Sequence, residues 1–277
     1  MKFFRIVLHD ITEGTLRRPY FLFVPLITFF ICQRAFYTFS EHGIATIGDY
    51  FIFCMAGIEP FQFGMGEQFR FPIQWIILLG GMLYTSLNYP RQDIGTYGQQ
   101  MLIRMDSRMT WWLSKWTWLF LNSLILFLTY IVTIVLFSFY KGIPFSLASS
   151  PDMTDLLYIN YWDYFSVSLS GNEVKLISII LPFLVLFSLS ALQLLLTLII
   201  SPMFSFFLIL SVLIVSAFAT SPLLIGNYAM SQRSTLMIKN GVNPCQGIWI
   251  LMIAIFIIFI VGAVMFKRTD ILPVENE

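Results

Sequence analysis

Charge is what this chain has least of: of 277 residues, 11% are Asp, Glu, Lys or Arg, against 58% hydrophobic and 17% aromatic. A water-facing surface needs roughly 25% charged residues, so a soluble enzyme is excluded. The 16 basic and 15 acidic residues leave a net charge of +1. With no basic patch, nothing draws the protein to a phosphate backbone, and nucleic acid is excluded as a partner. Histidine occurs only at His9 and His42 and cysteine only at Cys32, Cys54 and Cys245. No paired Cys or His motif for zinc is present, and no metal site is expected.

The missing charge leaves gaps that place membrane spans. Uncharged runs cover 19–33, 71–90, 116–140, 176–232 and 240–266. About 20 apolar residues cross a hydrocarbon core about 30 Å thick. As one helix, 176–232 would be about 85 Å long, so it holds two crossings. Ser201-Pro202 is the break, because proline removes a helical donor and biases the preceding residue away from the helical region. Pro222 ends the later helix. The spacing predicts an all-α polytopic membrane protein with six transmembrane helices at about 20–37, 71–89, 115–139, 174–199, 203–221 and 246–266. With both termini cytoplasmic, ten basic residues fall inside and six outside, the sense that positive-inside bias favours. Asp10 and Glu13 interrupt any signal-peptide pattern before residue 19, and the first span is expected to stay uncleaved.

Residues 1–19 read as an amphipathic connecting helix lying along the inner membrane face. Phe3, Phe4, Val7, Leu8 and Ile11 fall on one side, and Lys2, Arg5, His9, Asp10 and Glu13 on the other. The six-helix domain occupies 20–277. Its first outer loop carries an apolar run, Tyr50 to Ile58, too short to cross and expected to be interfacial or re-entrant. In the second, Tyr158, Tyr161, Trp162 and Tyr164 suit an interfacial belt. Cys54 and Cys245 both fall outside the spans, which leaves a disulfide between them as an open option.

Several chemistries lack their residues. No Asp, Glu, Lys, Arg or His lies in the uncharged runs, whereas ion-coupled carriers commonly place an ionisable group at membrane depth. An intramembrane aspartyl protease, a His-Glu-x-x-His metalloprotease and a serine–histidine pair all lack their residues there. Asp152 and Asp155 have a diphosphate-metal spacing, but the pair is single and beside Pro151. No P-loop is present, so any ATP drive belongs to a partner.

The loop 90–114 is the richest segment. After Asp93, which can cap a helix, Ile94, Tyr97, Met101 and Met105 share one face, and Gln100, Arg104 and Arg108 form a polar stripe beside it. Trp111, Trp112 and Trp116 then mark the inner interface, with Lys115 among the headgroups.

An amphipathic N-terminal helix, two spans, an inner helix ending Arg-x-x-Ser-Arg-x-x-Trp-Trp-x-x-Lys at 104–115, and four further spans together resemble the membrane subunits of ATP-binding-cassette exporters of the type-2 permease class. The resemblance implies two permease subunits, identical or paralogous, and two cytoplasmic ABC ATPase subunits that hold ATP and Mg. It implies no catalytic site or cofactor in this chain. It also makes 90–114 the coupling loop, with Tyr97, Gln100, Met101 and Arg104 as the ATPase contacts. The chain departs from the commoner pattern in its long loop before the second span and its less obvious re-entrant helices between the fifth and sixth. Membrane lipid surrounds such a subunit, and a bacterial cytoplasmic membrane is its expected home. Spans with sparse amides, Gln33, Gln74, Asn88, Asn122 and Gln193, suit a hydrophobic or amphiphilic cargo such as a peptide, lipid-like molecule or drug. Those amides otherwise bond neighbouring helices. The alternatives are an ion-coupled carrier, a membrane enzyme, and a non-transporting scaffold or immunity protein.

Overall fold

A computed structural model describes residues 2–17, 22–60, 70–94, 108–158, 164 and 168–268. Among them the regular structure is helical, with only isolated bridges at Tyr164–Ile238 and Ser234–Val242. In chain order the helices are α1 (Lys2–Ile11), α2 (Phe23–Ser40), α3 (Ile47–Cys54), α4 (Ile73–Thr85), α5 (Tyr89–Ile94), α6 (Arg108–Lys141), α7 (Pro151–Asp155), α8 (Gly171–Thr197), α9 (Pro202–Phe218) and α10 (Pro244–Arg268).

Four of them, α2, α6, α8 and α10, are long and apolar enough to cross a membrane. The other two expected spans correspond to shorter apolar helices: α9 has 17 residues and α4 has 13. At 1.5 Å per residue α4 reaches only about 20 Å. It stops at Ser86, and the chain turns before α5 begins at Tyr89. The second expected span, 71–89, is therefore a helix and a turn rather than one rod.

The most apolar stretch of α8 is 67% buried inside the protein, against 22% for α10. That contrast makes α8 the central helix, with α4, α6, α9 and α10 packed on it. Its start is a capping box in which Ser170 and Glu173 satisfy each other's backbone N–H groups. A π turn over Leu176–Ile180 follows. Pro182 explains it, because its ring nitrogen cannot donate to the carbonyl one turn back and the ladder must widen.

The predicted break between the fourth and fifth spans is present. Ser201 is extended at φ −64° and ψ 150°, and Pro202 occupies the first turn of α9, where its missing N–H costs nothing.

With 34 residues, α6 is about 51 Å long and overruns any hydrocarbon core. Its first turns pack inside the protein, with Trp111, Trp112 and Trp118 fully buried. Trp111 stacks on Phe266 of α10 with centroids 4.5 Å apart. Gly262 permits the neighbouring contact, since a Cβ there would lie 2.3 Å from the Trp112 ring. Trp111, Trp112 and Trp116, expected as interfacial markers, are all buried in the protein. We call this end of the bundle, where α1 and the last turns of α10 meet the start of α6, the basal pole.

At the opposite pole α3 is buried along nearly its whole length, so its apolar run is covered by protein rather than exposed. Asp49 holds its start. The carboxylate accepts from the Thr46 N–H at 2.8 Å, the Thr46 hydroxyl at 2.9 Å and the Ser150 N–H at 3.0 Å. Burial raises the Asp49 carboxyl above its ordinary value, against the lowering effect of those donors. Tyr158, expected in the interfacial belt, is buried; it stacks on Tyr164 and donates to the Gln232 carbonyl at 2.8 Å. Cys54 is buried, Cys245 is exposed and both are free thiols, so the Cys54–Cys245 disulfide does not form.

Candidate functional site

Two buried charge clusters stand out, one at each pole. The basal cluster centres on Lys115, whose side chain is fully buried although the sequence suggested a place among the headgroups. Its Nζ lies 2.6 Å from Asp10 Oδ1 and 2.7 Å from Asp93 Oδ2. Tyr89 donates its hydroxyl to Asp10 Oδ1 at 2.7 Å, and Trp111 donates its indole N–H to Asp93 Oδ2 at 3.1 Å. The ammonium also faces the Tyr89 and Trp111 rings, 4.9 and 5.2 Å from their centroids, where the ring quadrupoles favour it.

Helical geometry explains why these groups meet. Trp111, Lys115 and Trp118 are spaced i, i+4, i+7 on α6, so they share one face. Asp93 stands in the last turn of α5 and Asp10 near the end of α1. The orientation of α1 differs from the simple amphipathic reading. Asp10 and Ile6 point into the protein, while Phe4 and Leu8 are 78% and 70% exposed. Those two, one turn apart, remain available to a membrane surface.

Two carboxylates face one ammonium, so the cluster carries one negative charge in excess whenever both are ionised. Asp10 Oδ2 is buried without a hydrogen-bond partner. Desolvation is the largest influence on Asp10 and raises its carboxyl above the ordinary value, although Lys115 and Tyr89 oppose the shift. The arrangement contains no nucleophile–base pair. Its chemistry is that of a fixed ionic clamp joining α1, α5 and α6.

A polar path leads inward from the clamp. Trp118 donates to the Thr15 hydroxyl at 3.2 Å, and Thr15 donates to Asn122 Oδ1 at 2.9 Å. Asn122 donates in turn to the Thr85 hydroxyl at 3.4 Å, and Gln193 to the Leu83 carbonyl at 3.4 Å. Two of the sparse amides therefore bond neighbouring helices. Gly14 lets the chain approach this layer, because a Cβ there would lie 2.6 Å from Trp118 Nε1.

The opposite pole is organised by Arg233, also fully buried. Its Nε donates to the Ile58 carbonyl at 3.0 Å. Nη1 donates to the carbonyls of Ser216 and of Ala219 (3.0 Å) and to Asn227 Oδ1 (2.6 Å), and Nη2 to the Ala217 carbonyl (2.6 Å). Three of these carbonyls close the C-terminal end of α9, the negative end of its dipole. Burial lowers the guanidinium to about 10, which still leaves it charged at neutral pH.

The expected ATPase contacts Tyr97, Gln100, Met101 and Arg104 lie outside the described residues. Asp93 and Lys115, which flank that stretch in the chain, are both held in the clamp. Sequence reasoning missed the clamp, although a lysine set among Trp111, Trp112, Trp116 and Trp118 was a signal that it would not be solvated. Among the described residues no group of three or more His, Cys, Asp or Glu is placed to hold a metal, and Asp152 and Asp155 gain no further ligand of those types.

Among the described residues the regular structure is helical, and four of the apolar helices are long enough to cross a bilayer, as in a membrane protein. The chain belongs to the family described as protein of unknown function (DUF2705), which matches residues 26–272. The match includes Asp93 and Lys115 and begins after Asp10. No curated protein and no solved structure matches the chain significantly.

Proposed function

We propose that this protein is the membrane permease subunit of an ATP-driven exporter of the type-2 ABC class, moving a hydrophobic or amphiphilic cargo such as a peptide, lipid-like molecule or drug. The observation that carries this reading is the Asp10–Lys115–Asp93 clamp. It binds the N-terminal helix to both ends of the 90–114 segment, where a force applied to that segment would reach α5 and α6 together.

In this reading α4 and α9 complete six spans, both termini face the cytoplasm, and the basal pole is the cytoplasmic one. The excess of basic residues in the segments so placed supports that orientation. The chain supplies no catalytic site and no cofactor of its own. ATP and Mg sit in a separate ABC ATPase that meets Tyr97, Gln100, Met101 and Arg104. A second permease subunit, identical or paralogous, completes the pathway in a bacterial cytoplasmic membrane. ATP binding would favour one arrangement of the pathway only through unequal affinity for the two states.

The test is purification of the natively expressed protein in mild detergent, with mass spectrometry of the co-purifying chains and an ATPase assay on the peak. A P-loop ATPase in equal amount, lost with Arg104→Ala, is the expected result. A chain that purifies alone from several detergents, or transport that stops only when an ion gradient collapses, overturns the reading.

A further inference from the structure

A cavity of about 270 Å³ opens at the pole opposite the clamp, bordered by the outer part of α2, the chain after α3 and the start of α4. Its lining joins two guanidiniums, Arg34 and Arg70, with the Gln74 and Gln232 amides and the Phe53 and Trp75 rings. Arg34 and Arg70 are both exposed. No ion pair joins either of them to a carboxylate among the described residues. Glu59 also lines the cavity and brings one carboxylate to it. Among the described lining residues these three charges leave one positive charge in excess.

Arg34 sits inside a membrane-crossing helix, 11 residues beyond Phe23 and about 17 Å along its axis. A cation within a span is costly and marks a functional position by default, with an anion as its natural partner. Its surroundings say what carries that anion. Leu26, Phe30 and Tyr37, at i−8, i−4 and i+3 from Arg34, are 55%, 62% and 65% exposed. These spacings put them on the same face of α2. The cationic cavity is thus continuous with a lipid-facing apolar stripe. The guanidinium fork matches phosphate oxygens in a bidentate manner.

We propose that this cavity binds the phosphate of an anionic phospholipid between Arg34 and Arg70, with its acyl chains laid along Leu26 and Phe30. The site does not depend on the transport reading, and it would stand if the chain had no ATPase partner.

Native mass spectrometry of the full-length protein, titrated with phosphatidylglycerol or phosphatidylcholine in detergent, tests the proposal. The wild-type protein is expected to bind phosphatidylglycerol at least tenfold more tightly. The double variant Arg34→Gln, Arg70→Gln, checked for a monodisperse peak and unchanged tryptophan fluorescence, loses that preference. Arg34→Lys keeps the charge without the fork and retains part of it. Equal binding of the two lipids, or an unchanged preference in the double glutamine variant, overturns the site. Millimolar inorganic phosphate should leave the bound phosphatidylglycerol in place, and its displacement would assign the pocket to a soluble oxyanion and overturn the lipid assignment.

Discussion

Lys115 and Asp10, 105 positions apart in the chain, meet at 2.6 Å with both side chains fully buried. Neither charge has water to fall back on, so each depends on the other, and Lys115 depends on Asp93 as well. Removing one member of a buried pair leaves an uncompensated charge, which typically costs about 3–5 kcal/mol.

Lys115→Met is therefore expected to be the most damaging single change at the basal pole, since it leaves two buried carboxylates facing each other. Asp10→Asn should cost less, because Asp93 still neutralises the ammonium. Adding Asp10→Asn and Asp93→Asn to Lys115→Met should recover a large part of the loss. Thermal unfolding in detergent measures all of these. A Lys115→Met protein as stable as wild type would show that the clamp contributes nothing.

The raised carboxyl of Asp10 fixes the sign of a pH effect. Folding favours the protonated form, so this group's contribution is fully present below its unfolded value of 3.8 and is lost as pH rises through the higher folded value. Lys115, Asp93 and Tyr89 are the titratable groups that face it. Asn at position 10 cannot ionise, so the apparent Tm of Asp10→Asn should gain on wild type as pH rises above 3.8. Parallel curves for the two proteins would remove Asp10 as the titrating group.

At the other pole, Arg233→Lys keeps a charge but loses the planar fork that reaches carbonyls on two segments. Hydrogen bonds from charged donors contribute about 1.5–3 kcal/mol each, so a loss of several kcal/mol is expected. Hydrogen exchange should report it as faster opening at the end of α9 and in the 225–233 turns, with the basal pole unchanged.

Two glycines give a paired test of packing. Gly262→Ala would place a Cβ 2.3 Å from the buried Trp112 ring, and overpacking of this kind costs about 1–3 kcal/mol. Gly80→Ala would meet only Leu210, at an ordinary 3.5 Å, and should be neutral or stabilising given the helix propensity of alanine. Unfolding midpoints of the two variants should separate in that order.

Maleimide labelling distinguishes the three thiols. Cys245 is exposed, whereas Cys32 and Cys54 are buried. The native protein should take up one label and the denatured protein three. In right-side-out vesicles a membrane-impermeant maleimide should reach Cys245 if the N-terminus faces the cytoplasm, and protection of Cys245 there would reverse the orientation.

The positions of the four long apolar helices were legible because a bilayer reads composition over windows of about 20 residues. The break at Ser201-Pro202 is likewise local, being a property of the proline ring. The runs at 71–89 and 50–58 show where that reasoning stops. Both are apolar, yet one ends early at Ser86 and the other folds into the protein as α3. Composition alone does not distinguish a helix covered by lipid from one covered by other helices. The opposite pole illustrates the same limit, because nothing in the composition marks Arg233, one of the six basic residues expected outside, as a buried helix cap.

The sequence by itself determined the class of molecule and the approximate register of its apolar helices, because both follow from the cost of placing charge and unpaired backbone in hydrocarbon. Only the tertiary structure decided which charged residues leave solvent. Asp10, Asp93 and Lys115 carry no local mark that they converge, and Arg233 draws its acceptors from Ile58 and from the end of α9. A buried charge is tolerated only when distant segments deliver its partners, and that delivery is a property of the packed helices rather than of any window of the chain.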